Sequence, residues 1–445
     1  MMRRLHWSCS TLLILLSVFQ LEAQSKLNMD LLGVEAFAPV TLNDIWGYTD
    51  QEENEFALVG MDTGFAVVNV TNPLETNEEF RIYGPPSTWR DIKTWDHYAY
   101  VVHDNLDPTF NGPPQGLLIV DLDSLENPHY ESKMLAVDLD TIVDTMWRAH
   151  NLYIDEKGIM YIFGSNVGRG GALMFDVSFD PWNPIYLGIF NDHYLHDGMA
   201  RGDTLWGAAL YFGRFLIIDV KSKRLPITLG SGITRSQFTH NCWISDDGKT
   251  LFTTDERPGA YVGSYDVSSP TSVQGLSRVQ RLPGYDLVPH NVHVKGDYLV
   301  TSYYTGGVQI VNAARPDVLV EVGYYDTYPQ DNSSSFRGNW GVYPYLPSGN
   351  IIATDRDNGL FVLSAQYTDA AYGEFQINDS LTGERLIGAE LHFKSLNDKV
   401  FTNYWGQVNR GIYKDYLDTV TISMEGYQTQ TRVVPFTVGQ TRSFQ

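Results

Sequence analysis

Seven stretches of this chain spell variants of one apolar phrase, most opening on glycine and each closing on asparagine, aspartate or serine. They are residues 64–69 (GFAVVN), 116–121 (GLLIVD), 171–176 (GALMFD), 213–219 (GRFLIID), 261–266 (YVGSYD), 307–312 (GVQIVN) and 359–364 (GLFVLS), and their closing residues lie 43 to 55 residues apart. Six are followed shortly by proline, as Pro73, Pro128, Pro184, Pro226, Pro270 and Pro316. A repeat of this length with no helical pattern inside it is one four-stranded sheet of a radial array. The chain is therefore predicted to be all-β, with a seven-bladed β-propeller over residues 28–366 and a small β-sandwich over 372–445.

Residues 1–23 read as a secretory signal peptide. Arg3 and Arg4 precede an apolar run from Leu12 to Phe19, and Ala23 is a small residue suited to cleavage. That run is shorter than the roughly 20 residues needed to span a bilayer, and no second one follows. The mature chain is expected to be secreted, or to lie at the outer cell surface or in the periplasm, as a monomer with no transmembrane segment. Cys242 is the one cysteine left after cleavage, so stability must come from packing, which a propeller of this size supplies. The formal charge of −22 becomes −23 without the leader. So acidic a chain has no electrostatic purchase on phosphate backbones, which excludes nucleic acid as a partner.

Each repeat shows the same internal order. Residues 290–294 (HNVHV) give an inner strand, Lys295-Gly296-Asp297 a tight turn, residues 298–302 a second strand, Thr305-Gly306-Gly307 another turn, and residues 308–313 a third strand. The glycines supply the positive φ that such hairpins require. A fourth strand follows each proline, where a missing N–H is tolerable. Inner strands are expected near Asn43, Arg90, His150, His196, His240, His290 and Asn339. The segment before Asn43 is placed to close the ring with the last blade. Residues 105–115 read as a surface insertion rich in proline and glycine.

The GLLIVD and FLIID segments resemble LVIVD repeats, and residues 28–366 are similar to the choice-of-anchor B family of secreted bacterial proteins. That resemblance implies a propeller, export and attachment to the cell surface by varied C-terminal anchors. The tail is similar to the carboxypeptidase regulatory-like β-sandwich at Leu381-Thr382-Gly383, Gly388-Ala389 and Glu425-Gly426-Tyr427. The likeness implies an accessory domain of the kind found in exported Bacteroidota-type proteins, without catalytic residues of its own. No anchor or sorting tail is visible after Phe436.

One constellation goes beyond architecture. Four consecutive repeats open their inner strand with histidine and a short polar residue: His150-Asn151, His196-Asp197, His240-Asn241 and His290-Asn291. Matched positions in successive blades converge on the central channel. Asp91 and Asp44 are the counterparts in the second and first repeats, and His293, on the same strand three residues beyond His290, is read as adding to the cluster. Three readings fit: backbone and water hydrogen bonding repeated by duplication, a bound Zn, Cu or Fe ion on His150, His196, His240 and His290, or a catalytic centre.

A second acidic set follows the second strand of several repeats. Asp104, Asp255, Glu256, Asp355 and Asp357 are candidates for Ca²⁺, or are turn caps and solvated charges. Arg148, Arg169, Arg235, Arg257, Arg337 and Arg356 fall near the blade rims, as partners of those carboxylates or as a pocket for an anion, and Arg337 is counted with the ligand or channel-lining residues. Cys242 reads as buried core. No phosphate loop, serine triad, HExxH helix or paired-cysteine motif is present. These observations favour a binding or scaffolding module for an envelope or extracellular protein or glycan. The alternative is a metal-dependent enzyme with a histidine-lined site at the channel mouth.

Overall fold

The computed structural model describes residues 25–445; the predicted signal peptide lies outside the described residues. Among these residues there is no α-helix, and so none long and apolar enough to cross a membrane. Seven antiparallel sheets follow one another along the chain. Their innermost strands are Leu42–Thr49, Arg90–Trp95, Asn151–Ile154, Asp197–Arg201, Thr239–Ile244, Val292–Lys295 and Asn339–Tyr343. Sheets one to six each run outward through four consecutive strands. The seventh takes its outer strand from the start of the chain, where Met29–Glu35 pairs with Gly359–Ala365. Lys26–Leu27 pairs with the outer strand of the sixth sheet, Val320–Tyr325.

Alternation along the central strands explains why the sheets gather face to face. Successive side chains point to opposite faces, so each middle strand feeds two apolar layers. In the second strand of the third sheet, Met160 and Ile162 pack with Tyr100, Val102 and Ile119 of the second sheet. Tyr161 and Phe163 pack instead with Leu205, Leu216 and Ile218 of the fourth. The series returns on itself, for Ile352, Leu360 and Val362 of the seventh sheet share a cluster with Ala57, Val59, Ala66 and Val68 of the first.

A second contact repeats around the ring. The outer strands bulge at one position, opposite Val67/Val68, Met174/Phe175, Ile217/Ile218, Ser264/Tyr265 and Ile310/Val311 of the third strands and at Leu31/Gly33 in the seventh sheet. Glycine beside the bulge lets the neighbouring sheet's loop approach. A Cβ on Gly230 would lie 1.7 Å from the Pro270 carbonyl oxygen, one on Gly188 1.9 Å from that of Lys223, and one on Gly33 1.8 Å from that of Pro73.

In such meanders the first and third strands start, and the second and fourth end, at one rim, here the entry rim. Residues 371–444 form a separate unit of two sheets, one of three strands and one of four, around Phe375, Leu391, Phe393, Val420, Val434 and Phe436. It docks on the far rim of the sixth sheet. Tyr372 Oη donates to Asn312 Oδ1 at 2.5 Å, and Arg315 bridges Asp317 and Glu374 at 2.9 and 2.8 Å.

Gly230→Ala is expected to lower unfolding free energy by about 1–3 kcal/mol through overpacking, measured by urea denaturation. Gly275→Ala is expected to be near neutral, because its Cβ would meet nothing closer than Tyr265 Cε1 at 3.8 Å.

Candidate functional site

At the entry rim every inner strand begins with a matched pair of residues: Asn43-Asp44, Arg90-Asp91, His150-Asn151, His196-Asp197, His240-Asn241, His290-Asn291 and Trp340-Gly341. Neighbours in a regular strand face opposite ways, yet both members of most pairs line the axis. Register jumps between Leu42 and Ile45, Thr239 and Asn241, and Asn339 and Gly341 supply the reason in three sheets. A bulge inserts one residue and re-aims a side chain.

The second members stitch the sheets together. Asp91 Oδ2 accepts from Leu152 N at 2.8 Å, Asn241 Oδ1 accepts from Val292 N at 3.0 Å, and Asn241 Nδ2 donates to Asp197 Oδ2 at 2.8 Å. Glycine completes the belt at 341, where a Cβ would lie 2.5 Å from Asp44 Oδ1. Burial pushes the Asp197 carboxyl up to about 7, even though the Asn241 amide stabilises its charge. Burial, and then the Asp91 charge, raise Asp44 well above the usual carboxylate range.

The first members bring all four predicted histidines into one arc. Ring centroids are 3.9 Å apart for His150 and His196, 4.5 Å for His196 and His240, and 4.4 Å for His240 and His290. Trp89 flanks His150 at 5.9 Å and Trp340 flanks His290 at 4.8 Å. Burial depresses the pKa of His196, His240 and His290, so these rings are neutral and carry free lone pairs at pH 7. His293 does not join the arc. It lies one layer deeper beside Trp46, Trp243 and Tyr345, and burial takes its pKa down to about 3.

Two carboxylates from the ends of second strands face the arc. Asp104 Oδ2 is 3.1 Å from His150 Nδ1, and its other oxygen holds Arg148. Glu256 lies 3.7 Å from His240 Nε2 and 3.9 Å from His290 Nε2, and accepts from Tyr304 Oη at 2.6 Å. One donor atom each from His196, His240 and Glu256 lies within 4.8 Å of the other two. His290 Nδ1 is 2.6 Å from the Trp340 carbonyl oxygen, so Nδ1–H donates and Nε2 keeps its lone pair. Buried His196 Nε2 and His240 Nδ1 have no hydrogen-bond partner among the described residues. The four histidines, with Trp89 and Trp340, line an axial space of about 20 Å³, room for one water-sized occupant.

The other candidates sit apart. Asp255 accepts from Thr234 Oγ1, Ser236 N and Phe238 N at 2.5, 2.7 and 3.1 Å, which makes it a turn cap. Asp355 plays the same part for Thr327 Oγ1, Asp357 N and Asn358 N at 2.8, 3.0 and 2.9 Å. Arg337 is exposed on the rim, ion-paired with Asp357 at 2.7 Å, and does not line the channel. Cys242 is buried. Sequence reasoning put Glu256 with the acidic set, whereas it stands with the imidazoles. Trp340 went unnoticed although it holds the histidine position of its own repeat; nothing in the sequence pointed to Tyr304.

The sequence matches no protein-family model and no curated protein. Among solved structures, the β-propeller domain of Cps50 (Swd1) from Myceliophteria thermophila superposes with a TM-score of 0.51 at 11% identity, covering 76% of this chain and all of that domain. The fold of this chain is that of a β-propeller.

Burial raises Asp355 to about 6, so the folded state binds its proton more tightly than the unfolded chain does. Its contribution to stability is full at low pH and is lost as pH rises through 6. Asp355→Asn, which mimics the protonated acid, is expected to gain stability relative to wild type between pH 4 and 7, measured by urea unfolding at both values. A constant difference would contradict this.

Proposed function

We propose that this chain is an exported, seven-bladed propeller of the LVIVD-repeat, choice-of-anchor B kind. It acts as a binding or scaffolding module for an envelope or extracellular protein or glycan. The carboxypeptidase regulatory-like sandwich serves as spacer or attachment point. The observation that carries this reading is the difference between the two rims. Loops and connectors of the entry rim expose Trp89, Tyr211, Phe212, Tyr285 and Phe336, whereas among the described residues the far rim of the seven sheets exposes two such rings, Phe179 and Tyr130. Arginines stack among the entry-rim aromatics: Arg257 over Phe238, Arg337 over Tyr328 and Arg356 over Trp340, at 4.6, 5.4 and 4.9 Å. Trp, Tyr and Arg are the side chains that dominate binding at protein interfaces. The C-terminal unit, docked on the far rim, leaves this face open.

The alternative, a metal-dependent enzyme, would have to hold its substrate outside the channel, since about 20 Å³ admits no organic molecule. Docking on the rim needs no such space.

The test is capture of envelope and extracellular proteins and glycans on the immobilised mature chain. Trp89→Ala with Phe336→Ala is expected to weaken capture about tenfold, an ordinary hot-spot loss, with an unchanged melting temperature. Capture indifferent to both changes would overturn the rim assignment. Export is tested separately by N-terminal sequencing of the protein from producing cells. A start at Gln24 is expected; an intact Met1 in the cytosol would contradict it.

A further inference from the structure

We propose that His196, His240 and Glu256 bind one divalent transition-metal ion of the zinc type at the channel mouth, with His290 as the adjoining fourth donor. This site is independent of what docks on the rim. Two imidazoles and one carboxylate are the donor set that zinc and its neighbours prefer, and their nitrogens are poor ligands for Ca²⁺. The three donor atoms already lie within 4.8 Å of one another. Bonds of about 2.0–2.2 Å to one ion would draw them somewhat closer, a change that small side-chain rotations supply.

Three further features belong to a built site. Tyr304 Oη holds Glu256 at 2.6 Å, and the Trp340 carbonyl holds His290 Nδ1 at 2.6 Å, so outer partners orient two of the donors. Buried His196 Nε2 lacks a hydrogen-bond partner among the described residues, and an unpaired buried polar atom is costly unless something fills the gap. His196, His240 and His290 also line a space of about 20 Å³, which is ion-sized. His150 is left out because it is not among the donors that lie within 4.8 Å of one another; its Nδ1 faces Asp104 at 3.1 Å.

A chelator-treated sample of the mature chain, titrated calorimetrically with Zn²⁺ alone, is expected to bind one ion. Affinity is expected to fall at least about 100-fold in His196→Ala and His240→Ala, and about tenfold in Glu256→Gln and Tyr304→Phe, the scale on which ligand and orienting groups act. His97→Ala is the control. Among the described residues, His97 with Asp121 and Asp123 is the other group able to gather round an ion, on the far rim, and its loss should leave the high-affinity event unchanged. If an alanine variant does not fold, His240→Gln and Glu256→Gln, checked by circular dichroism, carry the test. Absence of Zn²⁺ binding by the folded chain, or binding untouched by the His240 and Glu256 changes, would overturn the site. Either result would leave the rim reading standing.

Discussion

Apolar packing between the faces of neighbouring sheets holds this molecule together, and everything at its axis depends on it. Each middle strand is buried on both faces because its two sets of alternating side chains serve two neighbours. Such a layer leaves no free face only if the last sheet meets the first. Ile352 and Val362 meet Ala57 and Val59, and the Met29–Glu35 strand completes the seventh sheet from the opposite end of the chain. With one free cysteine and no disulfide among the described residues, this packing carries the stability.

Closure has a chemical consequence. A side chain repeated at the head of each inner strand is copied around an axis, not along a line. Duplication therefore produces a ring of like groups in close contact, a costly arrangement for charges and a tolerable one for neutral imidazoles. Burial keeps the His196, His240 and His290 rings neutral by lowering their pKa values. In the Asp/Asn belt beneath them, Asp91 and Asn241 accept from backbone N–H groups of the next sheet, at Leu152 and Val292, while Asn151 Oδ1 and Asn291 Oδ1 have no partner among the described residues. Both layers thus keep unused lone pairs, and the lower one also ties neighbouring sheets together.

Much of this was legible in the sequence, for definite reasons. Strand heads expected near Asn43, Arg90, His150, His196, His240, His290 and Asn339 fall within two residues of observed strand starts. Glycine and proline punctuate each repeat, and their backbone restrictions are local. The histidine arc was legible because matched positions must converge. Glu256 was misplaced because its role depends on how the chain turns after the second strand, which residue spacing does not encode. Arg337 was placed in the channel but sits outside it, drawn to Asp357. His293 stands three residues from His290, an odd spacing that puts the two side chains on opposite faces of an extended strand and so keeps His293 out of the arc.

The most direct test of this account is proton NMR on protein with selectively labelled histidines, resolving contacts between imidazole rings. Cross-peaks are expected in series, from His150 to His196, His196 to His240 and His240 to His290, with none from His293 to His150. Four isolated ring systems would contradict convergence on one axis, and with it the site.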